Sequence, residues 1–402
     1  MKGKSKITKS ILIVLFIVLI VAAFIMLRKH MGVKVGTEKI SLRVFEETPS
    51  IGREAWLYLK DIADMDDGSV LAEEVGLDKL PVYKTKDYVK SDDGEFVFIM
   101  SLSRERVEKI AEDIAKKIDS EIAAIEYKYY KDFYEYSSVK KTRLSEQMNH
   151  LESAKITYHN GMRASIYSNG KISLDGIDDR LPGNYSKDYG NHKQGECFLS
   201  NEEADEIIKY LAEKYGKFMK FTEPAYIAYN DGNSSHGYIG YENSGNIKKR
   251  IVNHDLNHIR FGVIEDAGKC YWLSLFNTYD YVDYIGDYPI ISVDEAKEAL
   301  FSGEYMTDIP PIILRLAEIK EADIAKITVN YVEPSSGYQE YYIPFYKFYV
   351  DITEGYNRTL KELNRQSDLD DGVKTYGIFY IPAIRSEYLM DYNRPNNNTF
   401  WD

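Results

Sequence analysis

The sequence predicts an α+β protein, with an N-terminal transmembrane helix followed by extracytoplasmic antiparallel sheets that are each packed with a helix. Three observations carry this expectation. Residues Ile11 to Leu27, ILIVLFIVLIVAAFIML, form an apolar run without a charge. Three later segments carry apolar stripes of helical period, each opening the same distance after a serine. Between those stripes, short apolar and polar alternations are broken by Gly, Asn, Asp and Pro, the pattern of strands and hairpins.

As a helix the apolar run would measure about 26 Å, close to the hydrocarbon thickness of a bilayer. Lys2, Lys4, Lys6 and Lys9 precede it and no acid does. The positive-inside rule therefore makes residues 1–10 a cytoplasmic tail and 11–27 a single span, with the bulk of the chain outside the cell membrane. A cleaved signal peptide needs a shorter apolar region and a small-residue cleavage site. Ala22 and Ala23 sit inside the run, with Phe24, Ile25, Met26 and Leu27 still to come, so an uncleaved signal anchor is the reading.

The chain of 402 residues carries a net charge of −13, and the basic residues of its first 30 positions leave the remainder more acidic still. Such a surface repels nucleic acid and anionic headgroups, so neither is a partner. Thirty-five tyrosines accompany only two cysteines. Cys197 and Cys270 could pair in an oxidising space, but sequence cannot place them within bonding distance. Cys270 lies in KCYWLSLF, a buried-strand pattern, which favours a free core thiol. High Lys, Ile, Asn and Tyr usage together with this topology suggests a Gram-positive envelope protein.

Taken in order, residues 31–190 form an N-terminal α+β region. It opens with KISLRVF, WLYLKDIADM and EFVFIMSL, with turns at Asp66-Asp67-Gly68 and Asp92-Asp93-Gly94. A helix follows Ser103, with Val107, Ile110, Ala111, Ile114, Ala115 and Ile118 on one face. Asn169-Gly170 then marks a hairpin. A Gly-, Asn- and Asp-rich loop ends the region, and a middle helix-plus-sheet domain spans 195–290. Its helix follows Ser200, with a capping-box partner at Glu203 and a stop at Gly216. Five strand candidates follow: PAYIAYND, HGYIGYEN, KKRIVNH, NHIRFGVIED and KCYWLSLFNTY. A C-terminal helix-plus-hairpin domain, 291–402, repeats the device with Ser292, Glu295 and a stop at Gly303. ILRLAEI adds a short helix, and AKITVNYVE and YQEYYIPFYKFYVDI pair as strands. Pro344 and Pro382 donate to no ladder, so each belongs at an edge, a strand start or a bulge.

Candidate chemistry is sparse. His254 and His258 in HDLNH have the i, i+4 spacing of a helical metal pair, but Asp255 stands where a zinc protease needs its glutamate base. Strand-like flanks place the pair on a hairpin turn. The clusters DMDDG from Asp64 and DLDDG from Asp368 lack the alternating oxygens and closing glutamate of a calcium loop. No phosphate loop, dinucleotide turn or Gly-x-Ser-x-Gly occurs. No catalytic, cofactor-binding or metal residue is assigned.

Two features point to partners. The tyrosine-rich stretches YKYYKDFYEY and YQEYYIPFYKFY supply the amphipathic contact area typical of interfaces, which makes Tyr341, Tyr342 and Tyr346 candidate partner contacts. Both faces of the second stretch are apolar, however, and this also suits a strand buried on both sides. Ala22 and Ala23 are the small residues of the apolar run, where a partner helix could approach closely.

From Leu199 onward, LSNEEADEIIKYLAEKYG, ISVDEAKEALFSGEY, ITVNYV and YYIPFYKFYV follow the order of acid-capped helix, hairpin and Pro-containing strand. This order resembles the PepSY-like modules of exported Gram-positive proteins. Behind a single span, it also resembles the membrane-anchored accessory regulators of cell-wall sensor histidine kinases of two-component systems. The resemblance implies a non-catalytic extracytoplasmic regulatory or scaffolding protein with a membrane or cell-envelope protein partner, and it carries no catalytic residues. The alternative class is a cell-wall-associated enzyme or glycan-binding protein, which would need convergent acids in a cleft or a row of exposed rings.

Overall fold

The computed structural model describes residues 36–41, 55–62, 68–86, 89–90, 96–97, 102–129, 151–168, 170–176, 201–219, 224–230, 236–242, 245–264, 269–315, 317–332, 340–367, 369 and 371–390. The first segments are β1 (Ile40–Ser41), β2 (Trp56–Leu59), β3 (Val70–Leu71), β4 (Lys79–Thr85), β5 (Val89–Lys90) and β6 (Phe96–Val97). The middle contains α1 (Arg104–Lys117), β7 (Ile122–Tyr129), β8 (Leu151–Tyr158), β9 (Arg163–Tyr167), β10 (Ile172–Asp175) and α2 (Asn201–Met219). It continues through β11 (Pro224–Asn230), β12 (His236–Glu242), α3 (Ile247–Leu256), β13 (Asn257–Ile264) and β14 (Lys269–Asn277). The last part holds β15 (Val282–Pro289), α4 (Val293–Phe301), α5 (Pro311–Leu314), β16 (Ile324–Tyr331) and β17 (Tyr341–Tyr342). It ends with β18 (Pro344–Asp351), α6 (Thr353–Glu362), β19 (Lys374–Pro382) and β20 (Leu389–Met390).

The middle segments build one antiparallel sheet of eight strands, in the order β11-β12-β13-β14-β10-β9-β8-β7. Its strands read with period two. Ala154, Ile156 and Tyr158 of β8, Ala164 and Ile166 of β9, and Leu273 and Leu275 of β14 are buried in one core. On β10 and β14 the intervening Ser173 and Ser274 meet through their hydroxyls at 3.4 Å. The same core takes Val107, Ala111 and Ile114 from α1, as the predicted stripe requires, and Ile207, Ile208, Leu211 and Tyr215 from α2. Ser103 caps α1 by accepting from the Arg106 N–H at 3.1 Å. Helix α2 runs through Gly216 to Met219, past the predicted stop. Phe218 packs on the core, and its carbonyl accepts from Asn277 Nδ2 at 3.1 Å, so tertiary contact extends the last turn. The predicted hairpin joins β9 to β10, with Gly170 at φ +82° and the Tyr167 N–H bonded to the Lys171 carbonyl at 2.9 Å; Asn169 lies outside the described residues.

A second core lies between a five-stranded sheet, β2-β19-β18-β16-β3, and a three-stranded sheet, β15-β4-β17. Both draw on the two ends of the chain: Trp56 pairs with Gly377, Val70 with Val329 and Lys79 with Pro289. Between β17 and β18 the buried Ile343 is the step at which the strand leaves one sheet for the other. Pro344 opens β18 and Pro382 closes β19, positions where a missing donor costs no ladder bond. The predicted capping box at Ser292 and Glu295 is formed at α4, and Gly303 follows the helix at φ +80°.

The predicted fold class is corrected in two respects. Among the described residues the structure is mostly sheet, and no helix is long and apolar enough to cross a membrane. Residues 11–27 lie outside the described residues, and the spanning helix is withdrawn from the fold. The sheets also do not follow one another as helix-plus-sheet units. The eight-stranded sheet takes strands from both 122–175 and 224–277, while N-terminal strands pair with C-terminal ones around it. Long-range pairing of apolar strand faces overrides the local order that the three serine-led helices suggested.

Candidate functional site

The segment HDLNH, singled out for its histidine spacing, sits where α3 ends and β13 begins. Its predicted strand flank is in fact helix. Asn246 caps α3 by accepting from the Lys249 N–H at 3.1 Å, and Ile251, Val252 and Leu256 bury one face against the second core. Asp255 then accepts from the Tyr331 N–H at 2.7 Å and from Asn330 Nδ2 at 3.3 Å. His254 Nδ1 donates to Asp255 Oδ1 at 2.8 Å. His258, only 3% exposed, donates from Nδ1 to the Asp255 carbonyl at 2.9 Å and accepts from Arg260 Nε at 3.2 Å. Its ring stacks on Phe276 with centroids 4.4 Å apart. Both ring nitrogens of His258 are thus committed, which leaves no lone pair for a metal. Among the described residues no three His, Cys, Asp or Glu side chains converge as ligands. The segment joins α3 to strand β16.

The tyrosines named as partner contacts lie inside the molecule. Tyr341, Tyr342 and Tyr346 are 7%, 4% and 3% exposed. Tyr346 donates to the Ile291 carbonyl at 2.7 Å and Tyr341 to Glu38 Oε1 at 2.9 Å. Their rings face the core because β17 and β18 are covered on both sides, as the two apolar faces of that stretch allowed. Ala22 and Ala23 lie outside the described residues, as does Cys197.

Among the described residues, one concave feature is a half-open groove of about 450 Å³ between α4 and the segment following β19. Its apolar lining comes from Ile291, Ala299, Ile381, Ile384 and Leu389, and its charged lining from Glu295, Glu298, Glu304, Glu387 and Arg385. The volume falls within the usual range for small-ligand sites, about 300–1,000 Å³. One wall exists because the capping box aims α4; the other because the Arg385 N–H binds the Pro289 carbonyl at 3.1 Å and Ile384 bridges Ile290. The Glu295 carboxylate accepts from the Ser292 N–H at 2.7 Å. The Ser292 backbone and side chain hold its pKa below the ordinary value, and Arg385 adds to that effect.

The groove's outer wall is strapped to the N-terminal segment. Ile40 pairs in parallel with Leu389, and Lys39 Nζ donates to the Glu387 carbonyl. Glu38 accepts from Lys84 Nζ at 2.7 Å, and its carbonyl accepts from the Tyr288 hydroxyl at 3.2 Å. A Cβ on Gly36 would fall 1.8 Å from the Tyr288 ring, so the strap needs glycine there.

Sequence reading missed the groove. Glu295 was legible only as a helix cap, and Glu298 as an exposed helix position. Nothing local shows that residues 385–389 return beside them. No family model, curated protein or solved structure matches the chain.

Proposed function

We propose that this chain is a non-catalytic regulatory or scaffolding protein that works by binding a protein partner, with the cell envelope as its place of action. The observation that carries the reading is the use of its most chemistry-capable cluster. Asp255 and His258 are spent on backbone and neighbouring side chains that hold α3 to β16 and β13. The apolar residues 11–27 and the lysines before them support the envelope location. An accessory role beside a sensor kinase follows only from the resemblance of element order.

One observation favours the alternative, a wall-associated enzyme: the groove brings four glutamates together. A glycosidase needs one carboxyl held protonated by a raised pKa, and Glu295 is shifted in the opposite direction. Among the described residues no aromatic ring lines the groove to stack on a sugar.

The test is to incubate full-length protein with cell-wall glycan fragments and follow release of soluble products. The expected result is no release. Release that disappears in Glu298→Gln or Glu304→Gln, with the fold unchanged by circular dichroism, would establish the enzyme instead.

A further inference from the structure

Resting on that reading of a binding protein, we propose that the groove between α4 and the Arg385–Leu389 segment holds a short cationic peptide segment of a protein partner. A branched aliphatic side chain sits against the half-buried Ile291 and Ala299, above the buried Ile381 and Ile384, and lysine or arginine side chains face the carboxylates. Four glutamates against the single Arg385 leave the lining net negative. Glu295 is committed to its cap, whereas Glu298 and Glu387 have no ion-pair partner among the described residues. Charge of one sign along the rim of a groove attracts the opposite sign and selects against its own. A second copy of the chain is the wrong occupant, because its net charge of −13 would bring acid against acid. A small polyamine would satisfy the carboxylates but leave the aliphatic floor uncovered.

The experiment is fluorescence anisotropy on the full-length protein, with a short labelled peptide of alternating lysine and leucine as probe. Comparison peptides carry glutamate in place of lysine, or serine in place of leucine. Saturable binding of the lysine-leucine peptide is expected, weakened by salt and by either change in the peptide. The double variant Glu298→Lys, Glu387→Lys should lose affinity by roughly tenfold or more, with unchanged thermal unfolding because both side chains are exposed. Equal binding by the variant, equal binding of the glutamate peptide, a serine peptide that binds as well, or displacement by free polyamine as effective as by peptide would each overturn the proposal. Concentration-dependent dimerisation that blocks the probe would also overturn it. Absence of binding without turnover rejects the groove assignment alone, whereas cleavage of the peptide rejects the non-catalytic reading beneath it.

Discussion

The two cores of this molecule are packed with different chemistry. Among the described residues, those buried around the eight-stranded sheet are mainly aliphatic, with Tyr158 and Tyr215 as the buried tyrosines. The core between the other two sheets buries nine among the described residues: Tyr288, Tyr305, Tyr331, Tyr341, Tyr342, Tyr346, Tyr349, Tyr376 and Tyr380. The first core closes strands that all lie between residues 122 and 277, and shape-filling suffices. The second must join segments far apart in sequence, and its hydroxyls do part of the joining. Tyr331 donates to the Pro81 carbonyl at 2.5 Å, and Tyr376 accepts from the Ile62 N–H at 3.3 Å. Tyrosine combines a large apolar face with one directional bond, so it specifies which backbone it meets as well as filling volume.

High pH should break this comparison most strongly. Burial pushes Tyr83 and Tyr346 up to about 12, and it raises Tyr279, Tyr331, Tyr341, Tyr288, Tyr305 and Tyr376 as well. A raised folded pKa means the folded state holds its proton longer. The stabilisation is therefore complete below the ordinary tyrosine value near 10 and is lost as pH climbs towards the folded values. Tyrosinate absorbance should rise cooperatively with unfolding, and hydrogen exchange should quicken in β16, β18 and β19 before β8 and β9. Simultaneous loss would show that the two cores unfold as one.

Substitution tests the same contrast at single sites. Phe379→Ala removes a fully buried ring set edge-on to Tyr305 at 4.9 Å and should cost about 3–5 kcal/mol in urea unfolding. Ile156→Ala, equally buried in the aliphatic core, should cost about 2–5 kcal/mol, at the lower end where neighbouring aliphatics relax into the space. Tyr331→Phe keeps the shape but strands the Pro81 carbonyl, for a loss of about 1–3 kcal/mol. Tyr158→Phe, whose bond to the Ala111 carbonyl is 3.2 Å, should lose less. A larger loss at Tyr158 would remove the special role claimed for hydroxyls in the second core.

Smaller effects sit at the helix starts. Ser292→Ala removes the cap of α4 and should cost about 1 kcal/mol. Asp351 precedes α6. Burial pushes its pKa up, but bonds from the Thr353 hydroxyl and N–H and from Lys374 more than offset this, leaving it below its ordinary 3.8. The stabilisation from that group is present above pH 3.8 and is lost as pH falls through the lower folded value. Asp351→Asn should flatten the acid limb of the unfolding curve; an unchanged limb would assign it to other carboxylates.

Local pattern was a good guide wherever one face of one element decides the outcome. The stripe Val107, Ala111 and Ile114, the box at Ser292 and the turn at Gly170 form where the sequence placed them. It failed where a distant partner decides. KKRIVN has the apolar spacing of either a strand or a helix, and α3 forms because Ile251, Val252 and Leu256 find a core on one side. The groove is the extreme case. Its walls lie about ninety residues apart, and neither carries a signal of the other before the chain has folded.

The pairing of β2 with β19 also sets a timetable for synthesis. Trp56 meets Gly377, and a ribosome adding about 5–20 residues per second needs roughly 15–60 s to supply the intervening chain. The eight-stranded sheet needs nothing beyond Asn277 and can close well before then. During that interval β2 to β4 have emerged without most of their partners. Helix α3, already anchored beside β13, offers Ile251, Val252 and Leu256 as the surface on which the late-arriving β16 can begin to assemble the second core.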